Sequence, residues 1–594
     1  MPKQTNPVSL ITDNIDIWSS AIQNKKSVGR GSSKKINLYG IKKLRELILE
    51  LALKGLLVEQ SEVSAEDLIF DVKREKEIIR ENHSIRKSQD SFPPSEIFVA
   101  PAHWRWASIG ELAHVLGGKR VPRGYKLLDE STPYAYIRVT DMKEHSVNLD
   151  NLKFIDKSVH DQIAKYVINK EDVYITIAGT IGAVGIIPDE LDGMHLTENA
   201  SKLVLDGLNK GFLVRLLSCD YVQAQFQQAV NQMAQPKLSL NSIKSTSIAI
   251  PPLDEQNRIV TKVNELMTLC DQLEQQQENS ITAHKTLVET LLAALTNAAN
   301  KGDFEAAWKK IANHFDTLFT TEHSIDQLKQ TILQLAVMGK LVPQNPNDEP
   351  ASVLLEKIAA EKERLVKEKK IKKQKALPEI SDEEKSLELP KGWEWCRLDN
   401  LSLRSEAGWS PRCIPTPREN NRWGVLKVSA VTWGVFNPDE NKELPSSLEP
   451  RAQYEIRKGD FLISRANTAE LVARAVVVPA DAPKHLMMSD KIIRFVLSDN
   501  INGWFINLVN SSFFSRSYYA SVAGGTSSSM KNVTREQIRN LVVPLPPAFE
   551  QVRIVAKVSK LIAVCEQLKL SLRQANTIQI KLADDINCQG RFHI

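Results

Sequence analysis

The 594-residue sequence is poor in the residues that mark most chemistries. Cysteine occurs six times, at Cys219, Cys270, Cys396, Cys413, Cys565 and Cys588, and no two lie close together. Metal-ligand spacing is therefore missing, and a disulfide framework gives way to the expectation of a reducing compartment. No apolar run approaches the ~20 residues needed to span a bilayer. The opening MPKQTNPVSLITDN lacks the basic start and apolar stretch of a signal peptide, so a cytoplasmic protein is expected. A net charge of +5 is small for this length. It permits an anionic partner without requiring one, so a nucleic-acid role has to rest on local patches.

Catalytic signatures are equally scarce. Met338-Gly-Lys-Leu341 lacks the upstream glycine and the hydroxyl of a phosphate loop, and neither His-Glu-x-x-His nor Gly-x-Ser-x-Gly occurs. The run Gly179-Thr-Ile-Gly182-Ala-Val-Gly185 sits between two strand-like runs, which makes it a β-turn rather than a nucleotide loop. Glu440-Asn441-Lys442 after Pro438-Asp439 is too crowded for nuclease carboxylates and reads as a solvated loop. Pro251-Pro252 and Pro546-Pro547 follow Ile250 and Leu545, which cannot hold an amino group as the Asn or Asp of an adenine methyltransferase does. No catalytic, cofactor-binding or metal-binding residue is expected in this chain.

What the sequence does contain is itself, twice. Pro251–Glu274 (PPLDEQNRIVTKVNELMTLCDQLE) returns as Pro546–Lys569 (PPAFEQVRIVAKVSKLIAVCEQLK) without a gap, matching Glu255 with Glu550, Gln256 with Gln551 and Arg258 with Arg553. Ile259, Val263, Leu266, Cys270 and Leu273, like Ile554, Val558, Leu561, Cys565 and Leu568, step by fours and threes, the seam of a helix packed lengthwise on another. Upstream, Leu44–Gln60 aligns with Leu328–Gln344, including Gly55 with Gly339. Pro101-Ala-His-Trp104-Arg-Trp106 mirrors Pro390-Lys-Gly-Trp393-Glu-Trp395, and Ile168–Asp172 mirrors Ile456–Asp460. Between these anchors lie short β-branched runs, such as Ala135–Thr140, Asp172–Ile177 and Ser245–Ile250, with turn signals.

The expected fold class is therefore mixed α/β: two globular β-rich domains separated by long coiled-coil helices, in a tandem repeat. The expected divisions are an N-terminal helical arm at 1–100, a first domain at 101–252, a central helical region at 253–389, a second domain at 390–547 and a C-terminal helix at 548–594. The outgoing helix from Leu253 is expected to pack on the arm beginning near Ile325, and the helix Ala548–Ile586 on the arm at Ile41–Leu51. The domain interiors differ: Gly117-Gly-Lys-Arg-Val-Pro has no counterpart in Ser405-Glu-Ala-Gly-Trp-Ser-Pro beyond a loop of similar placement.

Basic and polar residues cluster in the predicted loops of both domains. The first has Lys119, Arg120, Arg123, Tyr125, Lys126, Arg138, Lys202 and Lys237. The second has Arg412, Arg418, Arg422, Lys427, Arg465, Asn467, Lys491 and Arg494, with Ser527, Ser528 and Lys531 in a Gly/Ser-rich loop. Arg and Lys neutralise phosphates, while Arg, Asn and Gln make paired hydrogen bonds to base edges, so the set points to DNA. The densest positive run, Glu361–Lys375, has mixed signs at helical spacing and reads first as an exposed helix face.

The repeated Pro-Pro-x-x-Glu-Gln-x-x-Ile-Val, the Gly-Lys/Leu-Leu-Val arm and the Pro-x-x-Trp-x-Trp domain starts together resemble the specificity subunit of type I restriction-modification enzymes, with an N-terminal arm like that of the IB subfamily. The resemblance implies two target-recognition domains, each reading one half of a bipartite asymmetric DNA sequence. The helices, antiparallel to one another in a pseudo-twofold arrangement, then act as spacer and as docking site for two methyltransferase subunits, joined by two restriction/translocase subunits. S-adenosylmethionine, ATP and Mg are implied on those partners and none in this chain. Two rivals stay open at this stage: a coiled-coil scaffold without a DNA role, and a self-contained methyltransferase or nuclease.

Overall fold

The computed structural model describes residues 8–24, 36–87, 92–231, 236–385, 387–432, 434–527 and 530–592. They fall into two compact units: 8–24, 36–279 and 576–592 form the first, and 280–575 the second.

In the first unit, α1 (Tyr39–Leu53) buries Leu44, Leu47, Ile48 and Leu51, the stripe its heptad-like spacing dictates. α2 (Glu66–Asn82) follows. The globular domain opens with β1 (Arg105–Ser108). It continues with β2 (His114–Gly117), β3 (Ala135–Ile137), β4 (Lys153–Phe154), β5 (Val167–Ile168), β6 (Val173–Thr176), β7 (Val184–Ile186), β8 (Met194–Leu196) and β9 (Ala200–Val204). Helices α3 (Lys210–Ser218) and α4 (Asp220–Asn231) precede β10 (Ser247–Ile250) and the 44-residue α5 (Leu253–Thr296), whose residues beyond Asn279 belong to the second unit. One antiparallel sheet runs β7-β6-β9-β2; a second runs β4-β3-β8-β5, with β3 and β8 parallel. β1 pairs antiparallel with β10, Arg105 opposite Ile250, so the domain leaves where it entered. Gly179 and Gly182 take positive φ of 79° and 85° in the β6–β7 connection, which is the turn their spacing predicts.

The second unit holds α6 (Glu322–Val337), α7 (Ala351–Lys367), β11 (Glu394–Arg397), β12 (Ser402–Ala407), β13 (Gly424–Leu426), β14 (Asn441–Glu443), β15 (Phe461–Ser464) and β16 (Ala466–Asn467). β17 (Ala475–Val477), β18 (Leu486–Met487), β19 (Ile492–Leu497), α8 (Gly503–Ser511) and α9 (Phe513–Val522) come next. The unit ends with β20 (Gly524–Ser527), β21 (Met530–Asn532), β22 (Val542–Leu545) and most of the 45-residue α10 (Ala548–Phe592). Its sheets run β17-β15-β19-β12 and β14-β13-β18, again with one parallel pair, while β11 closes on β22 with Glu394 opposite Leu545. A further small sheet, β16-β21-β20, has no equivalent among the described residues of the first domain.

The repeated residues make the same contacts in each unit. The indole of Trp104 donates to Glu255 at 3.0 Å and that of Trp393 to Glu550 at 3.1 Å; both carboxylates are buried. Gln256 accepts the backbone N–H of Asn209 at 2.9 Å and donates to the Pro251 carbonyl at 2.9 Å. Gln551 does the same with Asn502 at 3.0 Å and Pro546 at 3.0 Å. Asn209 and Asn502 in turn cap α3 and α8. Gly55 and Gly339 share a φ of +68°, and a Cβ on either would run into Pro101 and Trp104 or Pro390 and Trp393. The Glu-Gln pair, the glycine and the Pro-x-x-Trp thus form one polar and steric lock fixing arm, domain and outgoing helix together.

The seams lie where the spacing puts them: Ile259, Val263, Leu266 and Cys270 are buried, as are Ile554, Val558 and Cys565. Their partners differ from expectation. At 1.5 Å per residue, α5 is about 66 Å long and α1 only about 22 Å. One arm therefore covers only part of each outgoing helix. The start of α5 lies on α1, where Arg45 holds Asp271 at 2.6 Å and Glu274 at 2.9 Å. Only its later residues, Val288, Leu292 and Leu295, join the cluster of Ile325, Leu328 and Ile332 expected for the whole helix. Likewise α10 begins against α6, with Lys569 on Asp326 at 2.7 Å and Arg573 on Glu322 at 2.8 Å. Its end reaches α1 as expected: Tyr39 donates to Asp584 at 2.6 Å, and Asn587 to the Lys43 carbonyl at 2.8 Å.

Candidate nucleic-acid interface

In each domain three segments are tied to one turn. In the first, the turn after β8 accepts Lys119 N–H at the Leu196 carbonyl (2.9 Å), Gly118 N–H at Ala200 (3.1 Å) and Ile177 N–H at Asn199 (2.8 Å). Ile177 then accepts Leu238 N–H at 2.9 Å. In the second, Trp409 N–H donates to Met488 (2.9 Å), Gly408 to Ile492 (3.3 Å) and Arg465 to Lys491 (2.8 Å), while Val533 N–H donates to Arg465 (2.9 Å). The close approach leaves no room for a Cβ at Gly118 beside the Thr197 and Leu196 carbonyls, or at Gly408 beside Met488. The two loops that seemed unrelated in sequence therefore do correspond: Gly118-Lys119 stands where Gly408-Trp409 does. The backbone crossing is the same, and the side chains it displays are not.

In the first domain this crossing brings together Lys119, Arg120 and Lys237, all exposed. Lys119 Nζ lies 5.4 Å over the Tyr166 ring, and Arg120 Nε reaches Glu198 at 3.0 Å with its side chain 82% exposed. Tyr136 anchors the root of the loop by donating to the Lys119 carbonyl at 2.8 Å; burial, with Glu198 beside it, pushes its phenol up to about 12. Arg123, Tyr125 and Lys126 stand exposed further along the same loop.

In the second domain the crossing gathers Arg465, Asn467, Lys491 and Lys531. Lys491 pairs with Asp490 at 3.0 Å, and Asn467 lies opposite Lys531 in the β16–β21 ladder. Arg465 Nε is buried with no hydrogen-bond partner, at the position Ile177 takes in the first domain. Asn467 donates to Thr432 at 3.2 Å, and Lys531 Nζ to the Gly525 carbonyl at 2.8 Å. Arg412 is exposed in the loop after Trp409. The backbone of Ser527 lies in β20, whereas Ser528 falls outside the described residues.

Other expected contacts have partners within the chain, some of them buried. Arg494 is buried, its guanidinium divided between Glu406 (2.6 Å), Asp460 (2.9 Å) and the carbonyls of Glu455 and Gln453. Lys202 stands at the same place in β9, bonded to buried Asp172 at 2.7 Å. Both aspartates also cap their own turn, at Asn169 and Arg457. This is one internal ion pair built twice, so Lys202 and Arg494 are withdrawn from the interface. Arg138 is clamped by Asp141 at 2.6 and 3.0 Å and by the Asn151 carbonyl. Arg418 donates to the Asn420 and Arg422 carbonyls of its own loop. Arg422 pairs with Glu443 at 2.6 Å and Lys427 with Glu440 at 3.5 Å, around β13 and β14.

Trp409 escaped the sequence reading, although the Arg451 guanidinium stacks 4.1 Å from its ring and Ser410 beside it bonds Asp490. Setting Gly408 on Gly118 would have found it, as the partner of Lys119. Among the described residues no three His, Cys, Asp or Glu side chains lie together as a metal site.

Two displays of unlike, largely cationic side chains on one repeated backbone define a class, proteins whose surface suits a polyanion. The type I restriction modification DNA specificity domain matches residues 101–283 and 410–575. The chain belongs to that family, the DNA target-recognition subunits of type I restriction-modification systems. It is similar to the type I restriction enzyme EcoEI specificity subunit of Escherichia coli, 40% identical over 97% of this chain and 98% of that one. It is 36% identical, over the same shares, to the EcoAI specificity subunit of Escherichia coli. Among solved structures, the HsdS subunit from Thermoanaerobacter tengcongensis aligns with a TM-score of 0.40 and 17% identity, over 83% of this chain and 98% of that chain.

Proposed function

We propose that each β-rich domain reads one half of a bipartite, asymmetric DNA target, in a tandem repeat with pseudo-twofold character. The observation that carries this reading is the repeated crossing, where Lys119, Arg120 and Lys237 in one domain stand against Trp409, Arg465 and Lys491 in the other. Exposed cations such as Arg123, Lys126 and Arg412 supply phosphate contacts, while Asn467 and the exposed guanidinium of Arg120 supply groups that pair with base edges. α5 and α10 serve as coiled-coil spacer and as docking site for two methyltransferase subunits. Those partners bring S-adenosylmethionine and modify adenine, and two restriction/translocase subunits bring ATP- and Mg-dependent cleavage. This chain supplies no catalytic group and works with them on cytoplasmic DNA.

The test is exchange of residues 101–252 for the corresponding domain of a subunit with another target. Mapping methylated adenines in cells carrying the chimaera and its methyltransferase should show one half-site replaced and the other kept. Replacement of both, or of neither, would sink the assignment of one half-site per domain.

A further inference from the structure

The second domain carries two guanidinium groups that the crossing does not use. Arg474 stands immediately before β17, where its carbonyl accepts Ser464 N–H at 2.8 Å and closes the β15–β17 connection. Arg516, fourth residue of α9, reaches into that connection: its Nη2 donates to the carbonyls of Val472 at 2.7 Å and Glu470 at 3.1 Å. Its guanidinium also lies 5.7 Å from the Tyr519 ring, and Tyr519 is itself fixed through Asn510 to the Ala473 carbonyl. Arg516 Nη1 and Arg474 Nε are buried with no hydrogen-bond partner. Neither residue forms an ion pair among the described residues. Burial first, and then the charge of Arg474, push the Arg516 guanidinium down to about 10. The Glu470 carboxylate offsets part of the Arg474 charge, but two half-buried cations side by side, each with a donor unspent, still favour a further anion.

The fold does not demand this arrangement. In the first domain the fourth residue of α4 is Gln223, whose neutral amide donates to the Gly182 carbonyl at 2.8 Å and holds the β6–β7 connection in the same way. The residue immediately before β7 is Ala183. Where the first domain uses an amide and a methyl group, the second has two arginines. The connection they brace also runs from Arg465 and Asn467, at the crossing, to Arg474.

We infer that Arg474 and Arg516 form a phosphate clamp on the second domain, taking the non-bridging oxygens of a DNA backbone phosphate beside the half-site. Guanidinium forks suit this ligand because their paired N–H donors match the spacing of phosphate oxygens. The clamp rests on the reading of the second domain as a DNA-binding unit. It adds a contact that the first domain lacks, so the two halves of the target are held with unequal salt sensitivity.

The experiment measures DNA binding against salt for the chain assembled with its methyltransferase subunits, as wild type, Arg516→Gln and Arg474→Ala. Arg516→Gln copies the first domain's residue, and thermal melting checks that the fold persists. Each substitution should weaken binding about tenfold and make the log–log salt slope shallower by about 1, the signature of one lost phosphate contact. The methylated sequence should not change. A wild-type slope in both variants, or an altered half-site, overturns the clamp. Inorganic phosphate that raises the melting temperature of wild type alone, with the DNA slope unchanged, makes this a free-anion site and overturns the DNA assignment. Exchange of residues 390–547 in parallel keeps the two ideas apart. If it changes a half-site while the slopes stay put, only the clamp falls; if it changes none, the DNA reading of this domain falls as well.

Discussion

Glu550 shows how much one buried side chain can fix. It accepts the Trp393 indole at 3.1 Å and the Gln344 amide at 3.3 Å, joining the domain start and the arm to the helix that carries it. Burial pushes its carboxyl above the usual range, with the two hydrogen bonds opposing. A carboxyl whose folded pKa is raised binds its proton more tightly in the folded state. Its stabilising effect is therefore complete below about pH 4.3, the ordinary glutamate value, and is lost as pH rises through the folded pKa. Glu550→Gln keeps an acceptor for the indole and cannot ionise. Denaturant melts across pH should show this variant gaining on wild type from about pH 4.3 upward. Glu550→Ala should lose about 1–3 kcal/mol at every pH, since the Trp393 N–H is left buried and unpaired. A wild-type advantage that grows with pH would contradict the raised carboxyl.

At the scale of elements, the end of α10 belongs with the first unit although almost the whole second unit separates them in the chain. Ala583 and Ile586 are buried there, and a Cβ on Gly590 would strike Leu47. The partly buried Tyr39 phenol is pushed up to about 12 by desolvation and by the Asp584 carboxylate it bonds. Truncation after Ala575 removes all of these at once. It should cost the first unit about 3 kcal/mol or more, from one buried isoleucine and one charge-assisted hydrogen bond, and leave the second unit's α6 contacts intact. Differential scanning calorimetry should show one transition moving down while the other stays. The helices themselves were legible from sequence, because apolar residues at steps of three and four leave few alternatives. Their partners were less so: a periodic stripe says that a helix packs, and says nothing of how many arms share its length. The loops were least legible. Lys202 and Arg494 look like surface cations until Asp172 and Asp460, some 30 residues away, are folded onto them. The Gly118–Gly408 equivalence is invisible without the carbonyls that crowd both glycines. Ion pairing across a sheet and close backbone approach depend on tertiary register, which no local pattern encodes.

For the whole molecule the decisive property is that each domain is an insertion with matched ends. Arg105 pairs with Ile250 and Glu394 with Leu545, so each domain starts and finishes on adjacent strands about 4.8 Å apart. What each domain offers its scaffold is also matched. Asn502 would meet Gln256 as Asn209 does, and the Asp399 carbonyl would receive Lys76 as Gly110 does, since Lys362 already bonds it from α7. Replacing residues 105–250 by a second copy of 394–545 should therefore give a folded chain with two identical readers on an unaltered spacer. The Trp104–Glu255 lock lies outside the graft and is kept. Assembled with the methyltransferase, that chain should modify a target in which both halves carry the sequence formerly read by the second domain alone. Its salt slope should become shallower by about 1 when Arg516→Gln is placed in the grafted copy alone, because that removes one of two Arg474–Arg516 clamps and nothing else. Sequencing of the methylated sites reads the first outcome, and the binding titration reads the second. A doubled half-site with an unchanged slope would leave the two-reader architecture standing and remove the clamp; an asymmetric target would show that the scaffold, and not the inserted domain, chooses the bases.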